Sequence, residues 1–194
     1  MKYFVCSDIH GSASRCEKVL ELFQSTGGDM LVLLGDILYH GPRNDLPEQY
    51  APKTVIKLLN PFAGRIIACR GNCDSEVDQM VLDFPMMSDY SLIVDTGVKI
   101  FCTHGHIYAP IRADTSPAVS GSRKIPLAAG SCCVEFYGHT HVQVLEKNPD
   151  GVLVCNPGSV SIPKAASAAG FALYENRTVT LYDLNADRIM TMAV

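Results

Sequence analysis

The chain has 194 residues, a length that suits a single domain over 1–194 and that buries most of the extended chain's surface on folding. Hydrophobic residues make up 47%, charged residues 19% and aromatics 8%, which excludes the disordered, collagen-like and coiled-coil classes. With Lys+Arg 16 against Asp+Glu 20 the formal charge is -4, and no run of bases offers a stripe for the backbone of a long nucleic acid.

The amino-terminal MKYFVCSDIHG has one base and a short apolar run that meets an aspartate, so it reads as a first strand over 2–6 rather than a signal peptide. Residues 12–25 follow with Cys16, Val19, Leu20 and Phe23 on one helical face and Ser12 as N-cap. MLVLL at 30–34 is a second strand, stopping at Gly35-Asp36. After a polar, proline-rich loop, 52–59 reads as a helix that buries Val55, Ile56 and Leu59. Pro52 fits its first position, where a missing N–H costs nothing. RIIAC at 65–69 is a third strand, ending in Arg70-Gly71-Asn72, and 75–82 a short helix. From there the pattern changes to hairpins. The spacing predicts one over 92–104 around Asp95-Thr96-Gly97 and one over 144–155 around Asn148-Pro149-Asp150-Gly151. A third covers 171–184 around Asn176-Arg177. The 109–130 segment has no strong period and is expected to be a long loop with room for a short helix, shaping the site or a partner surface. Two packed sheets flanked by helices accommodate this order, with the parallel strands of the first half in one layer.

No apolar stretch approaches the length of about 18 residues that crosses a bilayer, so no membrane association is expected. The eight cysteines include no CxxC pair. They suit reduced, buried thiols in a cytoplasmic protein better than a zinc ribbon or disulfide framework. Cys69, Cys102, Cys132, Cys133 and Cys155 adjoin strands and read as core.

Each strand end carries a possible metal ligand. Asp8 and His10 lie two apart in DIHG, Asp36 follows Gly35, and Asn72 follows Gly71. His104 and His106 share THGH, and His139 and His141 share GHTH. Any one of these alone is weak, because an aspartate after a strand commonly caps a helix and a glycine commonly marks a turn. Together they are specific, since scattered structural histidines have no reason to gather before and after glycines at strand ends.

Asp-x-His, Gly-Asp, Gly-Asn, His-Gly-His and Gly-His-Thr-His, in that order, resemble the motifs of the calcineurin-like metallophosphoesterases, in particular their small bacterial YfcE/MJ0936-type phosphodiesterase branch. The resemblance runs from Asp8 to about Ser161. It implies an α/β fold, a four-layer αββα sandwich of the metallo-dependent phosphatase type, with a dinuclear centre at the carboxyl ends of the strands. Carried over, Asp8, His10, Asp36 and His141 hold one metal, and Asp36, Asn72, His104 and His139 the other, with Asp36 bridging. Oxygen and imidazole donors suit Mn(II) first, with Fe, Zn or Ni as alternatives, and a set without thiolate is not a structural zinc site. Two cations about 3.5 to 4 Å apart acidify a bridging water and stabilise an in-line displacement, so direct hydrolysis by a metal-bound hydroxide is expected, with no phosphoenzyme.

The family commonly has a histidine after the Gly-Asn asparagine, and this chain has Cys73 there. A neutral thiol is a poor proton donor, which favours phenolic or other good leaving groups. Arg70 is open to two roles, a phosphate contact or a surface salt bridge. His106 lies outside the ligand count and is open to a phosphate contact, a ligand-orienting role or simple burial. His40, in the loop after Asp36, is the nearby proton-transfer candidate. The Asn156-Pro157-Gly158-Ser159 turn reads as scaffold beside the histidines. The expected partner is a small phosphodiester, with no long nucleic acid and a second copy of the chain in a homo-oligomer, dimer or larger. The competing reading is a metal-binding interaction scaffold on the same fold, with little or no catalysis.

Overall fold

The computed structural model describes residues 1–125 and 133–194. The first half alternates strand and helix: β1 (Tyr3–Cys6), α1 (Ala13–Ser25), β2 (Met30–Leu33), α2 (Pro52–Leu59), β3 (Ile66–Ala68) and α3 (Glu76–Gln79). A 3-10 turn over Asn60–Arg65 joins α2 to β3. The second half holds β4 (Tyr90–Asp95), β5 (Val98–Thr103), β6 (Tyr108–Ala109), β7 (Arg123–Lys124) and β8 (Val134–Phe136). It closes with β9 (Gln143–Lys147), β10 (Leu153–Pro157), β11 (Gly170–Glu175), β12 (Thr178–Asp183) and β13 (Arg188–Ala193).

These strands form a six-stranded sheet, β13-β12-β11-β1-β2-β3, and a five-stranded sheet, β4-β5-β8-β10-β9. In the first, β1, β2 and β3 run parallel, as their unbroken apolar runs predict, and β11 closes on β1 antiparallel. In the second, β5, β8 and β10 run parallel, and the hairpins supply the antiparallel strands on either side.

The pleat divides each parallel strand between two cores. Phe4, Cys6, Leu31, Leu33, Ile66 and Ala68 face outward under Cys16, Val19, Leu20 and Phe23 of α1 and Val55 and Leu59 of α2. Tyr3, Val5 and Val32 face inward, against Ile100, Cys102, Val134, Phe136, Leu153 and Cys155 of the second sheet. At about 1.5–3 kcal/mol for each large apolar side chain fully buried, these two interfaces dominate the stability of the fold. The outer face of the second sheet is covered by the long segment after β5. There Phe101 packs on Ile125 and Tyr108, and Arg112 grips Glu146 of β9 through Nε and Nη2 at 2.9 and 3.1 Å. Among its described residues this fourth layer contains no helix. The remainder of the 109–130 loop, with Cys132, lies outside the described residues.

Several local expectations are corrected. Ser12 occupies the N-cap position of α1, but its hydroxyl donates to the Glu48 carbonyl at 2.6 Å instead of capping the helix. Ile56 is only half-buried. The 75–82 helix shrinks to the four residues of α3, continued by turn hydrogen bonds from Met80 and Leu82. Strands β8 and β13 were not anticipated. The first is three residues long with Glu135 at its centre, and the second is an exposed edge strand without alternating polarity.

Candidate metal centre

The ends of the parallel strands converge on one place. Asp8 follows β1, Asp36 follows β2, Asn72 follows β3, His104 follows β5, and His139 and His141 lie between β8 and β9. The first two loops are laced together by backbone hydrogen bonds from Asp8 N–H to Gly35 and from His10 N–H to Asp36, at 3.1 and 2.9 Å. Five of the side chains sit on left-handed backbone: Asp8 (φ 60°), His10 (49°), Asp36 (55°), His139 (67°) and His141 (60°). Each such residue costs about 1 kcal/mol or more, and strain of this kind collects where side chains must be aimed.

Two overlapping clusters result. In one, Asp8 Oδ1 lies 3.5 Å from His10 Nε2 and 3.1 Å from His141 Nε2, and the two Nε2 atoms are 3.4 Å apart. In the other, Asn72 Oδ1 lies 3.0 Å from His104 Nε2 and 2.6 Å from His139 Nδ1. Asp36 Oδ2 belongs to both, 3.7 Å from His10 Nε2 and 3.4 Å from His104 Nε2. The Asp8–His10–His141 and Asp8–Asp36–His104 groups have metal-binding spacing, and so does His10–Asp36–Cys73, which brings a thiol to the edge of the site.

The surroundings fix which atoms face inward. Nδ1 of His10, His104 and His141 donates to the carbonyls of Tyr39, Leu34 and Ile162 at 2.7, 2.8 and 2.7 Å, leaving each Nε2 lone pair aimed into the cluster. Asp8 Oδ1 is fully buried and accepts no hydrogen bond among the described residues, although two imidazoles face it. Lone pairs converging on a buried carboxylate oxygen fit a divalent cation between them, so the donor set suits metal.

Electrostatics agree. Burial raises the Asp8 carboxyl, but the facing imidazoles of His10 and His141 outweigh it and hold Asp8 well below the usual range. Burial lowers His104, but the Asp36 carboxylate overrides it and lifts His104 to about 9, a proton that a cation would replace. Burial and the neighbouring His104 push both His139 and His106 down to about 4, so both are neutral at neutral pH.

The other residues singled out by sequence are placed as follows. Cys73 donates its backbone N–H to Asp36 Oδ1 at 2.8 Å, and burial and the Asp36 charge push its thiol pKa up, keeping it neutral. Arg70 is tied to Asp89 Oδ1 through Nε and Nη2, at 3.1 and 2.5 Å. His40 is packed edge-on to the rings of Tyr39 and Tyr50. His106 lies 5.3 Å from His104 and 6.3 Å from His139 between ring centres, and its buried Nδ1, like that of His40, has no hydrogen-bond partner among the described residues. Asn156 donates to the Gly138 carbonyl and to Thr140, bracing the turn that carries His139, while Ser159 and Ser161 donate to the Asp8 carbonyl at 2.9 and 2.8 Å.

Sequence reasoning missed Asp74. Its carboxylate accepts backbone N–H groups from Asp36, Ile37 and Gly71, pinning the β2 and β3 loops to each other. Only its position two residues after Asn72 hinted at this. A Cβ on Gly71 would collide with the Asp36 carboxylate, and one on Gly138 would collide with the Ser7 hydroxyl, so both sites need glycine for close approach.

The sequence model of the calcineurin-like phosphoesterase superfamily domain matches residues 1–178. The chain is 43% identical over 190 residues to phosphodiesterase YfcE of Escherichia coli (strain K12), covering 98% of this chain and 96% of that protein. It is 26% identical over 164 residues to phosphodiesterase MJ0936 of Methanocaldococcus jannaschii, covering 81% and 83%. The solved structure of the E. coli phosphoesterase YfcE superposes with a TM-score of 0.88 at 42% identity, covering 100% of this chain and 99% of that one.

Proposed function

The chain belongs to the calcineurin-like phosphoesterase superfamily and is a metal-dependent phosphodiesterase, and we propose that it cleaves small phosphodiesters at the cluster centred on Asp36. The reading rests on one observation: oxygen and imidazole donors from both sheets converge on a shared carboxylate oxygen, Asp36 Oδ2. We assign Asp8, His10, Asp36 and His141 to one divalent cation and Asp36, Asn72, His104 and His139 to a second, Mn(II) first, with Fe, Zn or Ni accepted by the same donors. When bound, the cations supply an acidified water as nucleophile and neutralise the phosphoryl oxygens.

The protein's own residues orient and exclude. Asp36 keeps Oδ1 on the Cys73 N–H and turns Oδ2 to the cluster, while the carbonyls of Leu34, Tyr39 and Ile162 hold three imidazoles in one tautomer. His106, neutral and beside the rings of His104 and His139, is assigned a phosphoryl contact. Arg70 makes the salt bridge with Asp89, and His40, whose ring lies edge-on to Tyr39 and Tyr50, remains the candidate for proton transfer. With a neutral Cys73 thiol beside the cluster, leaving groups that depart without protonation are favoured.

The net charge of -4 supports small diesters over long nucleic acids. Among the described residues no helix is long and apolar enough to cross a membrane. We place the enzyme in the cytoplasm, as one domain and as a homo-oligomer. The exposed apolar side chains of Tyr90, Leu92 and Val94 on the edge strand β4 support the oligomer.

The test is hydrolysis of bis-p-nitrophenyl phosphate by chelator-stripped protein as Mn(II) is added back. Turnover should appear only with metal, saturate near two equivalents and be lost in Asp36→Asn. Equal rates for the stripped protein, the loaded protein and the variant would overturn the reading.

A further inference from the structure

The metal-ligand cluster opens into a cleft of about 1270 Å³, lined in part by Asp36, Asn72, His139 and His141. A small-molecule site typically measures about 300–1,000 Å³, so this space far exceeds what a phosphoryl group needs. Most of its remaining wall comes from the loop after β2, from α2 and from the α3 region.

That wall carries an apolar stretch. Tyr39, Pro42, Tyr50, Ile56, Val77 and Val81 all line it. Val77 is 65% exposed and Val81 40% exposed, beside a site that already needs substrate. Val77 lies in α3 and Val81 two residues past its end, and both face the same cleft. Beneath them Leu82 and Phe84 are buried in the core, which anchors the segment without requiring Val77 or Val81 to pack inward. Exposed large apolar side chains scattered singly need no explanation, but a pair continuous with a catalytic cleft does.

Two carboxylates on this side already have partners. The Asp74 carboxylate is occupied by three backbone N–H groups, and Asp78 Oδ2 accepts from the N–H and hydroxyl of Ser75. Neither is well placed to recruit a cationic substituent such as an alkylammonium headgroup. Cys73, also in the lining, is a neutral thiol. The cationic side chains in the lining are Arg43 and Lys164, which suit the phosphate anion rather than its substituent.

We infer that the wall formed by Ile56, Val77 and Val81 is a subsite for one ester arm of the substrate, and that this arm is a flat, uncharged apolar group of aryl size. The inference rests on the diesterase reading above and extends it to a substrate class: phosphodiesters with at least one such arm, as opposed to those carrying only sugar, polyol or cationic alkyl arms. The rings of Tyr39 and Tyr50 supply aromatic surface for it.

The experiment uses two uncleavable anions with the same charged head, diphenylphosphinate and dimethylphosphinate, titrated into the Mn(II)-loaded protein by calorimetry. The wild type should bind diphenylphosphinate about 10-fold or more tightly than dimethylphosphinate, since only the former can bury apolar area on the wall. The double variant Val77→Ser, Val81→Ser changes two exposed positions, so it should fold normally, with an unchanged urea midpoint. In it the ratio of the two affinities should fall by about 5-fold or more. An undiminished ratio in the variant, or a wild type that binds both anions equally, overturns the subsite. Binding of neither anion, together with no turnover of bis-p-nitrophenyl phosphate, overturns the metal-site reading and the subsite with it.

Discussion

The Asp74 carboxylate accepts the backbone N–H of Asp36 at 2.8 Å, and through that bond one acidic side chain sets the direction of another. Asp74→Asn keeps one acceptor oxygen, so at least one of the three N–H groups, that of Ile37 in the favourable rotamer, is left facing an NH2 group. The expected loss is about 1–3 kcal/mol of stability, read from urea unfolding. Mn(II) affinity, read by competition with a chelating dye, should fall by about 10–100-fold. A variant with wild-type metal affinity would show that Asp74 only supports the loop.

Position 73 offers a gain-of-function test. Cys73→His places an imidazole beside the cluster where the thiol is held neutral. Hydrolysis of diesters with alkyl leaving groups should rise by about 10²-fold, while aryl diesters change little. Rates plotted against leaving-group pKa should therefore show a shallower slope, and an unaltered slope would rule out proton donation from this position.

The interior Glu135 should give the protein a distinct pH dependence. Burial, and next the Asp150 charge, raise its pKa in the fold from 4.5 to about 7. Between those values the folded chain holds a proton that the unfolded chain has released, so stability should be greatest below about pH 4.5 for this group and fall as pH rises through about 7. The loss is on the order of 3 kcal/mol. Glu135→Gln should flatten the curve in urea titrations over that range. If the variant keeps the wild-type slope, Glu135 is not its source.

Metal removal should loosen the molecule as well as silence it. Mn(II) at about a hundred times its dissociation constant should raise the unfolding free energy by about 2.7 kcal/mol, because the unfolded chain has no preformed site. Thermal melts with and without Mn(II) measure this, and Asp36→Asn should respond much less than the wild type.

The site was legible in the sequence wherever a ligand residue adjoins a glycine at a strand end. Asp36 after Gly35, Asn72 after Gly71 and His139 after Gly138 follow from local chemistry, since the glycine permits the approach and the strand end sets the direction. The parallel strands were legible for a similar reason, both of their faces being buried. What stayed hidden depends on distant partners. Nothing in the residues around His141 announces that the Ile162 carbonyl will hold its Nδ1, and nothing near Asp74 announces that Ile37 will donate to it. Strand β8 escaped because Glu135 sits on the outer face of its sheet under the long loop, so a buried strand looks half-exposed. The apolar wall of the cleft escaped because Val77 and Val81 look like ordinary residues of an amphipathic turn until the cleft beside them is seen.

The left-handed backbone at Asp8, His10, Asp36, His139 and His141 has a consequence for directed evolution of this protein. Glycine adopts that conformation without steric penalty, but at the buried Asp8, His10, Asp36 and His141 it would leave a cavity, and at the two histidines it would orphan the Tyr39 or Ile162 carbonyl. Selection for heat resistance alone, carried out without metal, will therefore reach for glycine first at His139, the one of the five that is not buried, and a survivor changed there gives up a ligand of the proposed second cation.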